Sequence, residues 1–338
     1  MPAPGSLTDI PGIRVGHCTE TRRPTGCTVV LFPPEGATAA VDVRGSAPGT
    51  RETDLLNPTN TVQKIHALLL AGGSAFGLEA ATGVVKFLEE QHIGFDVGVA
   101  RVPIVPAAIL FDLLVGDATI RPTAESGYKA CLAATTSVAE GSVGAAAGAT
   151  VGKMCGFKQA MKGGLGTAGL QAADGLRVTA LIAVNAFGDI HDPRTGTILA
   201  GARTVDGKDF ADPVAQMREG KIVSPFGARP GTNTTIGVVA TNAPLTKTEL
   251  LKVAQMAHDG LARSIRPVHT PFDGDTLFAV SVPEKRDGKL LPVDVGRIGM
   301  LAAEVVADAV LHGVLAAKGL PGLPSASEFQ AERTRKKD

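Results

Sequence analysis

A run of small polar residues at positions 232–235 leads without a break into an apolar stretch in the second half of this 338-residue chain. The turn formers Gly227, Pro230 and Gly231 precede the run, and the apolar stretch that begins at Ile236 predicts a short buried strand. The hydroxyl group of Thr234 is therefore expected at the very beginning of a strand.

This placement suits an unusual chemistry, in which the chain is cut just before a Ser or Thr. The new first residue then carries a nucleophilic hydroxyl and a free α-amino group, which titrates near pH 7.7 to 8 and is a usable base at neutral pH. The simpler interpretation is that Asn233 and Thr234 shape a turn. On this string alone the turn is favoured, because Asn and Thr are common turn residues.

The overall charge of the chain is balanced, with 33 Lys plus Arg and 33 Asp plus Glu. Such a balance provides no net field that attracts nucleic acid or an acidic membrane, so we expect a small neutral or zwitterionic partner. Residues 1–14 lack the features of a signal peptide, and no apolar run approaches the length of about 18 residues that spans a membrane. We therefore expect a soluble cytoplasmic protein.

No cofactor is predicted from the sequence. The spacing of the four cysteines, Cys18, Cys27, Cys131 and Cys155, contains no C-x-x-C or Cys/His ligand pattern, which excludes an obvious zinc site and favours buried thiols. The glycine pair at 72–73 and the glycines before Lys153 match neither the dinucleotide-binding fingerprint nor the phosphate-binding loop. A bound nucleotide is therefore not expected.

Strand and helix signals alternate irregularly along the chain, which is typical of a layered α/β protein. Two β-branched runs, at 27–32 and 38–43, are predicted to form a hairpin or neighbouring strands. A capping box at 246–249 predicts a helix, and the apolar pattern of residues 295–318 predicts a long helix that is covered on most sides.

Three further segments are expected to be irregular. Residues 141–169, rich in Gly and Ala, are predicted to form tight loops that line a cavity. Residues 192–230 predict a long functional or mobile loop, with one weak helix at 213–218, that leads to the polar run. The polar tail from Ser325 to Asp338 is predicted to be frayed.

Asp273 and Asp275 are a candidate catalytic pair. They lie two residues apart, so in an extended chain both carboxylates face the same way. Such a pair can orient a hydroxyl and an ammonium group, and mutual repulsion raises one pKa. In isolation a plain Asp-Gly turn is the favoured alternative. A metal site is disfavoured because two carboxylates with no third acid nearby are too few.

Several segments, taken together, resemble the P1 peptidase family, the self-processing hydrolases that include DmpA-type aminopeptidases, β-aminopeptidases and nylon oligomer hydrolases. The similar segments, in chain order, are VDVRG at 41–45, LAGGSAFGLEA at 70–80, NTTI at 233–236, HDGLAR at 258–263, IRP at 265–267 and HTPFDGDTLFAV at 269–280. The resemblance extends from about residue 10 to residue 318.

The resemblance implies an α/β fold of four layers, an αββα sandwich, in a single hydrolase domain of residues 1–324. It also implies self-cleavage between Asn233 and Thr234 into chains 1–233 and 234–338. The mature protein is then expected to be a homo-oligomer, a tetramer, that needs no cofactor.

The same resemblance assigns roles to individual residues. Thr234 corresponds to the nucleophile, and Asp273 and Asp275 to the two aspartates beside it. Asn185 corresponds to an asparagine that donates a hydrogen bond to the oxyanion, and Lys153 to a lysine beside the site. With these assignments, the catalytic interpretation of Thr234 and of the aspartate pair is preferred to the turn.

Phe111 departs from the family, and His269 has no assigned role. Phe111 stands where a nylon oligomer hydrolase has a tyrosine, and a phenyl ring has no hydroxyl to donate, so a role for that hydroxyl in cleavage or substrate binding is in question. His269 precedes the aspartate pair and is predicted to be structural.

The function predicted from the sequence is a self-processing amide hydrolase that acts on a small amide, a peptide or an amide oligomer. Two alternatives stay open. One is an acyl transferase similar to ornithine acetyltransferase, in which an amine replaces water as the acceptor. The other is a binding protein that keeps the fold but does not cut itself.

Overall fold

The computed structural model describes residues 5–221 and 233–335. The turn formers Gly227, Pro230 and Gly231, together with Thr232, lie outside these residues, as does the end of the long segment at 192–230. The strands are β1 (Arg14–Thr19), β2 (Gly26–Leu31), β3 (Ala37–Val43), β4 (Thr50–Arg51), β5 (Lys64–Ile65), β6 (Ala67–Ala71), β7 (Phe95–Asp96), β8 (Arg101–Val102), β9 (Ala107–Ile109), β10 (Thr150–Val151), β11 (Met161–Lys162), β12 (Gly164–Gln171), β13 (Arg177–Val184), β14 (Asp189–His191), β15 (Ile198–Ala200), β16 (Ile236–Thr241), β17 (Ile265–Arg266), β18 (Thr276–Ser281), β19 (Lys285–Arg286) and β20 (Lys289–Leu290). The α-helices are α1 (Ala80–Glu90), α2 (Ala124–Leu132), α3 (Pro213–Arg218), α4 (Lys247–Ser264), α5 (Val295–Leu315) and α6 (Ala326–Arg335).

Two large sheets form the centre of the molecule. One has five strands in the order β1-β2-β6-β9-β4, and the other has six in the order β12-β13-β16-β18-β3-β5. In the second sheet β16 and β18 are parallel, whereas β13 and β3 run antiparallel to them. The site described below depends on this mixture of directions.

Three apolar clusters define the layers. The first fills the space between the two sheets and includes Val30 and Leu68 from one sheet and Val238 and Phe278 from the other. The second joins the outer face of the six-stranded sheet to α4 and α5. The third joins the outer face of the five-stranded sheet to α1 and α2. The order of layers is therefore helix, sheet, sheet, helix, and the αββα prediction is confirmed.

The two helices over the six-stranded sheet follow their sequence signals. The hydroxyl of Thr246 accepts from the backbone of Glu249, and the Glu249 carboxylate accepts from the backbone of Thr246, so α4 begins with the predicted capping box. Helix α5 is long and apolar enough to cross a membrane by length and composition. Most of its surface is buried against α4 and the sheet, as expected for a core helix.

The predicted pairing of the two β-branched runs is wrong. β2 lies in the five-stranded sheet between β1 and β6, whereas β3 lies in the six-stranded sheet between β18 and β5. The chain between them therefore crosses from one sheet to the other. Both runs are strands because of their own side chains, but their partners come from distant parts of the chain.

Part of the Gly-rich segment at 141–169 is a strand instead of loops. β12 begins at Gly164, and α5 passes directly over it. A Cβ atom at Gly164 would lie 2.0 Å from the carbonyl oxygen of Gly313, and one at Gly166 would lie 2.1 Å from that of Ala309. The glycines are needed for this close approach of helix and strand, so they do not indicate loops here.

The prediction of a frayed tail is wrong as far as residue 335, because residues 326–335 form helix α6. Phe329 on this helix is 1% exposed, and its ring lies 5.0 Å from that of Phe210. Ala326 is also buried, and Arg333 forms an ion pair with Asp209 at 2.6 Å, so several contacts hold this polar helix against the body of the protein.

Candidate active site

The predicted site residues meet at one edge of the six-stranded sheet. β16 and β18 begin side by side, with Ile236 opposite Thr276, so the residues that precede both strands come together. β13 is antiparallel to β16 and ends at the same edge, which places Asn185 beside them. A bridge between Asn233 and Asp273 extends the parallel pairing past the strand ends.

The peptide bond between Asn233 and Thr234 is held from both sides. The carbonyl oxygen of Asn233 accepts from the backbone N–H of Gly274 at 2.9 Å and from the Thr234 hydroxyl at 2.5 Å. The N–H of Thr234 donates to the backbone carbonyl of Asn185 at 2.9 Å. Thr234 is only 2% exposed, so the hydroxyl and this peptide bond are shielded from water.

Gly274 has to be glycine in this arrangement. A Cβ atom at this position would lie 2.8 Å from Thr234 Oγ1 and 2.6 Å from the carbonyl oxygen of Ala47. These distances are shorter than ordinary contacts between carbon and oxygen atoms. The absence of a side chain therefore lets the backbone approach the hydroxyl closely.

The carboxylate of Asp275 is held by three donors. Oδ1 accepts from the backbone N–H of Thr235 at 2.7 Å. Oδ2 accepts from the backbone N–H of His269 at 3.2 Å and lies 2.9 Å from its ring Nδ1. Asp275 is thus joined directly to the residue that follows Thr234.

Asp273 has a different environment. Its Oδ2 accepts from the backbone N–H and from the hydroxyl of Thr270, both at 2.7 Å. Burial, followed by the nearby charge of Asp275, raises the pKa of Asp273 to about 6, while the Thr270 hydrogen bonds and Lys153 act in the opposite direction. The pKa of one aspartate of the pair is raised, as predicted, although burial is the larger cause.

Lys153 and Asn185 form the other half of the site. Lys153 Nζ donates to Asn185 Oδ1 at 3.0 Å and to the Asn185 backbone carbonyl at 3.2 Å. Burial lowers the pKa of Lys153 to about 7, against the opposing effect of Asp273 and Asp275. This ammonium group is therefore poised to lose its proton near neutral pH.

Both the oxygen and the nitrogen of the Asn185 side chain make hydrogen bonds. Oδ1 accepts from the backbone N–H of Thr150 at 2.9 Å as well as from Lys153. Nδ2 donates to the backbone carbonyl of Phe111 at 3.0 Å. An amide NH₂ group has two hydrogens, so this bond uses one of the two donors.

Phe111 contributes through its backbone, and the next residue anchors it. The Asp112 carboxylate forms an ion pair with Arg23 at 2.5 Å, with both side chains fully buried, and accepts from the Thr25 hydroxyl at 2.6 Å. The Gly73 N–H also donates to this carboxylate, at 2.9 Å. This network fixes the chain at residues 111–112 and with it the carbonyl that holds Asn185.

Three contacts around the Asn233 carbonyl and the aspartate pair were not predicted. They are the Gly274 N–H on the Asn233 carbonyl, the Thr270 bonds to Asp273 and the His269 bond to Asp275. The last two belong to the HTPFDGD segment, where a histidine and a threonine precede the aspartate pair at short spacing, so a sequence signal for them existed. Backbone donors such as Gly274 leave no signal in a single sequence.

Within residues 5–221 and 233–335, no group of three or more His, Cys, Asp or Glu side chains is arranged to hold a metal ion. In the same residues, the predicted site residues Thr234, Asn185, Asp273, Asp275 and Lys153 are brought together at one edge of the sheet.

The fold is similar to that of solved aminopeptidases, one of which is described as a variant of the N-terminal nucleophile (Ntn) hydrolase fold. The β-aminopeptidase of Burkholderia sp. is similar with a TM-score of 0.69 and 22% sequence identity, over 99% of this chain and 96% of that one. The L-aminopeptidase D-Ala-esterase/amidase of Ochrobactrum anthropi, described as a variant of the Ntn hydrolase fold, has a TM-score of 0.69 and 18% identity. That similarity covers 100% of this chain and 96% of the other chain. At these identities the similarity concerns the fold alone.

The family follows from sequence similarity. The model of peptidase family S58 matches residues 5–326. An uncharacterized aminopeptidase of Mycobacterium tuberculosis is 46% identical over 339 residues, which cover 95% of this chain and 96% of that protein. The 6-aminohexanoate-oligomer endohydrolase of Agromyces sp. is 32% identical over 313 residues, 90% of this chain and 84% of that protein. The chain belongs to peptidase family S58 and is an amide hydrolase of that family.

Proposed function

We propose that this protein is a self-processing amide hydrolase, cut between Asn233 and Thr234, in which Thr234 is the nucleophile of the mature enzyme. The observation that carries the proposal is the arrangement around the Asn233 carbonyl. Its oxygen is held by the Gly274 N–H at 2.9 Å, and the Thr234 hydroxyl lies against the same oxygen at 2.5 Å. A nucleophile and an oxyanion donor thus flank one peptide bond.

Self-cleavage proceeds in two steps, an acyl shift from nitrogen to oxygen and the hydrolysis of the resulting ester. Thr234 Oγ1 attacks the carbonyl carbon of Asn233, and the negative charge on the oxygen is stabilised by the Gly274 N–H. The C–N bond then breaks, and the proton from Oγ1 passes to the Thr234 nitrogen, which leaves a free α-amine and an ester between the Asn233 carbonyl and Oγ1. Water hydrolyses this ester, which releases the Asn233 carboxylate and restores the Thr234 hydroxyl.

In turnover the same atoms act on an external amide. The free amine of Thr234 takes the proton from Oγ1, and Oγ1 attacks the substrate carbonyl. The C–N bond of the substrate breaks, the amine product leaves with that proton, and water then hydrolyses the acyl-enzyme and restores the Thr234 hydroxyl. The second N–H of the Asn185 side chain is the proposed donor to the oxyanion, since the first is used by Phe111. Asp275, which is bonded to the N–H of Thr235, holds the nucleophilic residue in orientation.

The proposed substrates are amides that carry a free amine, such as the end of a peptide or of an amide oligomer. Two negative side chains, Asp273 and Asp275, beside the nucleophile favour a cationic group nearby. The similarity to an aminopeptidase supports a free amine on the substrate, and the similarity to a 6-aminohexanoate-oligomer endohydrolase supports amide oligomers as substrates.

Denaturing electrophoresis with N-terminal sequencing tests the proposal. We expect the purified protein to give two bands, the smaller of which begins at Thr234 and has 105 residues. Thr234→Ala should give one uncut, inactive chain. Thr234→Ser, which keeps a hydroxyl, is the matched control and should still be cut. A wild type that hydrolyses amides without being cut would contradict the proposal.

A further inference from the structure

His269 makes two contacts with a single oxygen of Asp275. Its backbone N–H donates to Oδ2 at 3.2 Å, and its ring Nδ1 lies 2.9 Å from the same atom. Since a carboxylate only accepts, Nδ1 carries the hydrogen of this bond. The other oxygen, Oδ1, is left for the N–H of Thr235 at 2.7 Å. The two oxygens of Asp275 are thus divided between His269 and the segment that carries the nucleophile.

The backbone of His269 adopts the conformation that makes both contacts possible. Its φ angle is +56°, in the left-handed region that residues other than glycine seldom occupy. This conformation has an energetic cost, and such residues are concentrated at functional sites. Here it coincides with a backbone donor and a ring donor that meet at the same carboxylate oxygen.

A second histidine supports the ring of His269. The ring of His258, on helix α4, meets it edge to face, with the ring centres 4.8 Å apart. His258 Nε2 lies 3.0 Å from the backbone carbonyl oxygen of Asp42 on β3, which only accepts, so this nitrogen carries the hydrogen. Burial lowers the pKa of His258 to about 4, so the ring is neutral at neutral pH. His269 therefore packs against an uncharged ring that is itself fixed to the sheet.

We propose that His269 is a positioning residue for Asp275, and this inference rests on the proposed function. By holding Oδ2, the imidazole prevents the carboxylate from rotating away from the Thr234–Thr235 segment. Asp275 Oδ1 then stays on the N–H of Thr235, which holds the chain next to the nucleophile in place. Without the ring donor, the backbone N–H of His269 alone holds Oδ2, and the nucleophile is in its reactive orientation for a smaller fraction of the time.

The test compares His269→Asn with His269→Asp. Both side chains tolerate the left-handed conformation and have nearly the same shape. Asn keeps a donor at the position of Nδ1, whereas Asp places an acceptor against the Asp275 carboxylate. We expect kcat per cut chain to stay within about threefold of wild type for His269→Asn and to fall about 10- to 100-fold for His269→Asp, with KM little changed.

A third variant keeps the test valid if His269→Asp does not fold. His269→Ala removes the donor without adding charge, and it should show the same loss of kcat, which His269→Asn restores. Equal kcat values in His269→Ala and His269→Asn would overturn the inference. The proposed function is checked separately in the same preparations by the presence of the chain that begins at Thr234. A cut wild type with unaffected His269 variants therefore overturns the inference alone.

Discussion

The backbone N–H of Gly274 donates to the carbonyl oxygen of Asn233 at 2.9 Å. This contact follows from the parallel start of β16 and β18, so it is a consequence of sheet register. The oxygen belongs to the peptide bond that we propose is broken. The uncut chain therefore contains its own oxyanion donor, distinct from Asn185, whose side-chain nitrogen donates to Phe111.

A first prediction concerns Gly274→Ala. The new Cβ atom would lie 2.8 Å from Thr234 Oγ1, so the hydroxyl or the glycine backbone must move. We expect self-cleavage to slow by at least about tenfold, because small displacements of reacting groups are costly. The fraction of cut chain is measured by electrophoresis at intervals after synthesis. Gly296→Ala, where the nearest atom to a Cβ lies at 3.5 Å, is the control. Cutting of Gly274→Ala at the wild-type rate would exclude a role for this contact.

A second prediction concerns the pH dependence of stability. The pKa of Asp273 is raised to about 6 in the folded protein from a reference of 3.8, so the folded state binds more protons between these values. Asp273 therefore reduces stability as the pH rises from about 4 to about 6. Asp273→Asn should remove this decrease.

The measurement is urea unfolding at several pH values in the uncut Thr234→Ala background, so that a single chain unfolds in each case. Asp287→Asn, at an exposed turn, is the control and should keep the wild-type slope. If Asp273→Asn has the same slope between pH 4 and 6 as its parent, the assignment of the raised pKa is wrong.

A third prediction concerns the ion pair between Arg23 and Asp112. Both side chains are fully buried, so Asp112→Asn leaves a buried guanidinium without its charge partner. We expect a loss of about 3–5 kcal/mol in the free energy of unfolding. Asp174→Asn breaks an exposed pair with Arg297 and should have little effect. Denaturant unfolding of the two variants distinguishes them, and equal losses would contradict this account.

A fourth prediction concerns Phe111, whose ring has no hydroxyl. The contact of this residue with Asn185 is made by the backbone carbonyl. Phe111→Tyr and Phe111→Leu should therefore both be cut at rates within about threefold of wild type. Time courses of cutting test this, and a large gain of rate in Phe111→Tyr alone would contradict it by showing that a hydroxyl at this position speeds cutting.

Local patterns were sufficient to predict the elements that carry the site. The strand after Thr234, the strand after Asp275 and the capping box at Thr246 all lie where the sequence places them. The αββα layering was implied by the resemblance and not by periodicity. Each of these features is either local or supported by several long motifs in the same order.

The features that the sequence did not predict are contacts between distant residues. The strand at residues 38–43 pairs with β18, more than 200 residues further along the chain, and nothing in a β-branched run specifies that partner. The glycines at 164 and 166 are explained only by the helix that crosses them. The contact between His269 and Asp275 was not predicted, because it depends on the left-handed backbone conformation of His269, and the prediction that His269 is structural stays a prediction.

The most direct test is the intact mass of the active protein. Under denaturing conditions we expect two species, residues 1–233 and 234–338, whose masses add up to that of the whole chain plus one water. Sequencing of the smaller species should begin at Thr234. A single unbroken species in protein that hydrolyses amides at its full rate would contradict the proposed mechanism.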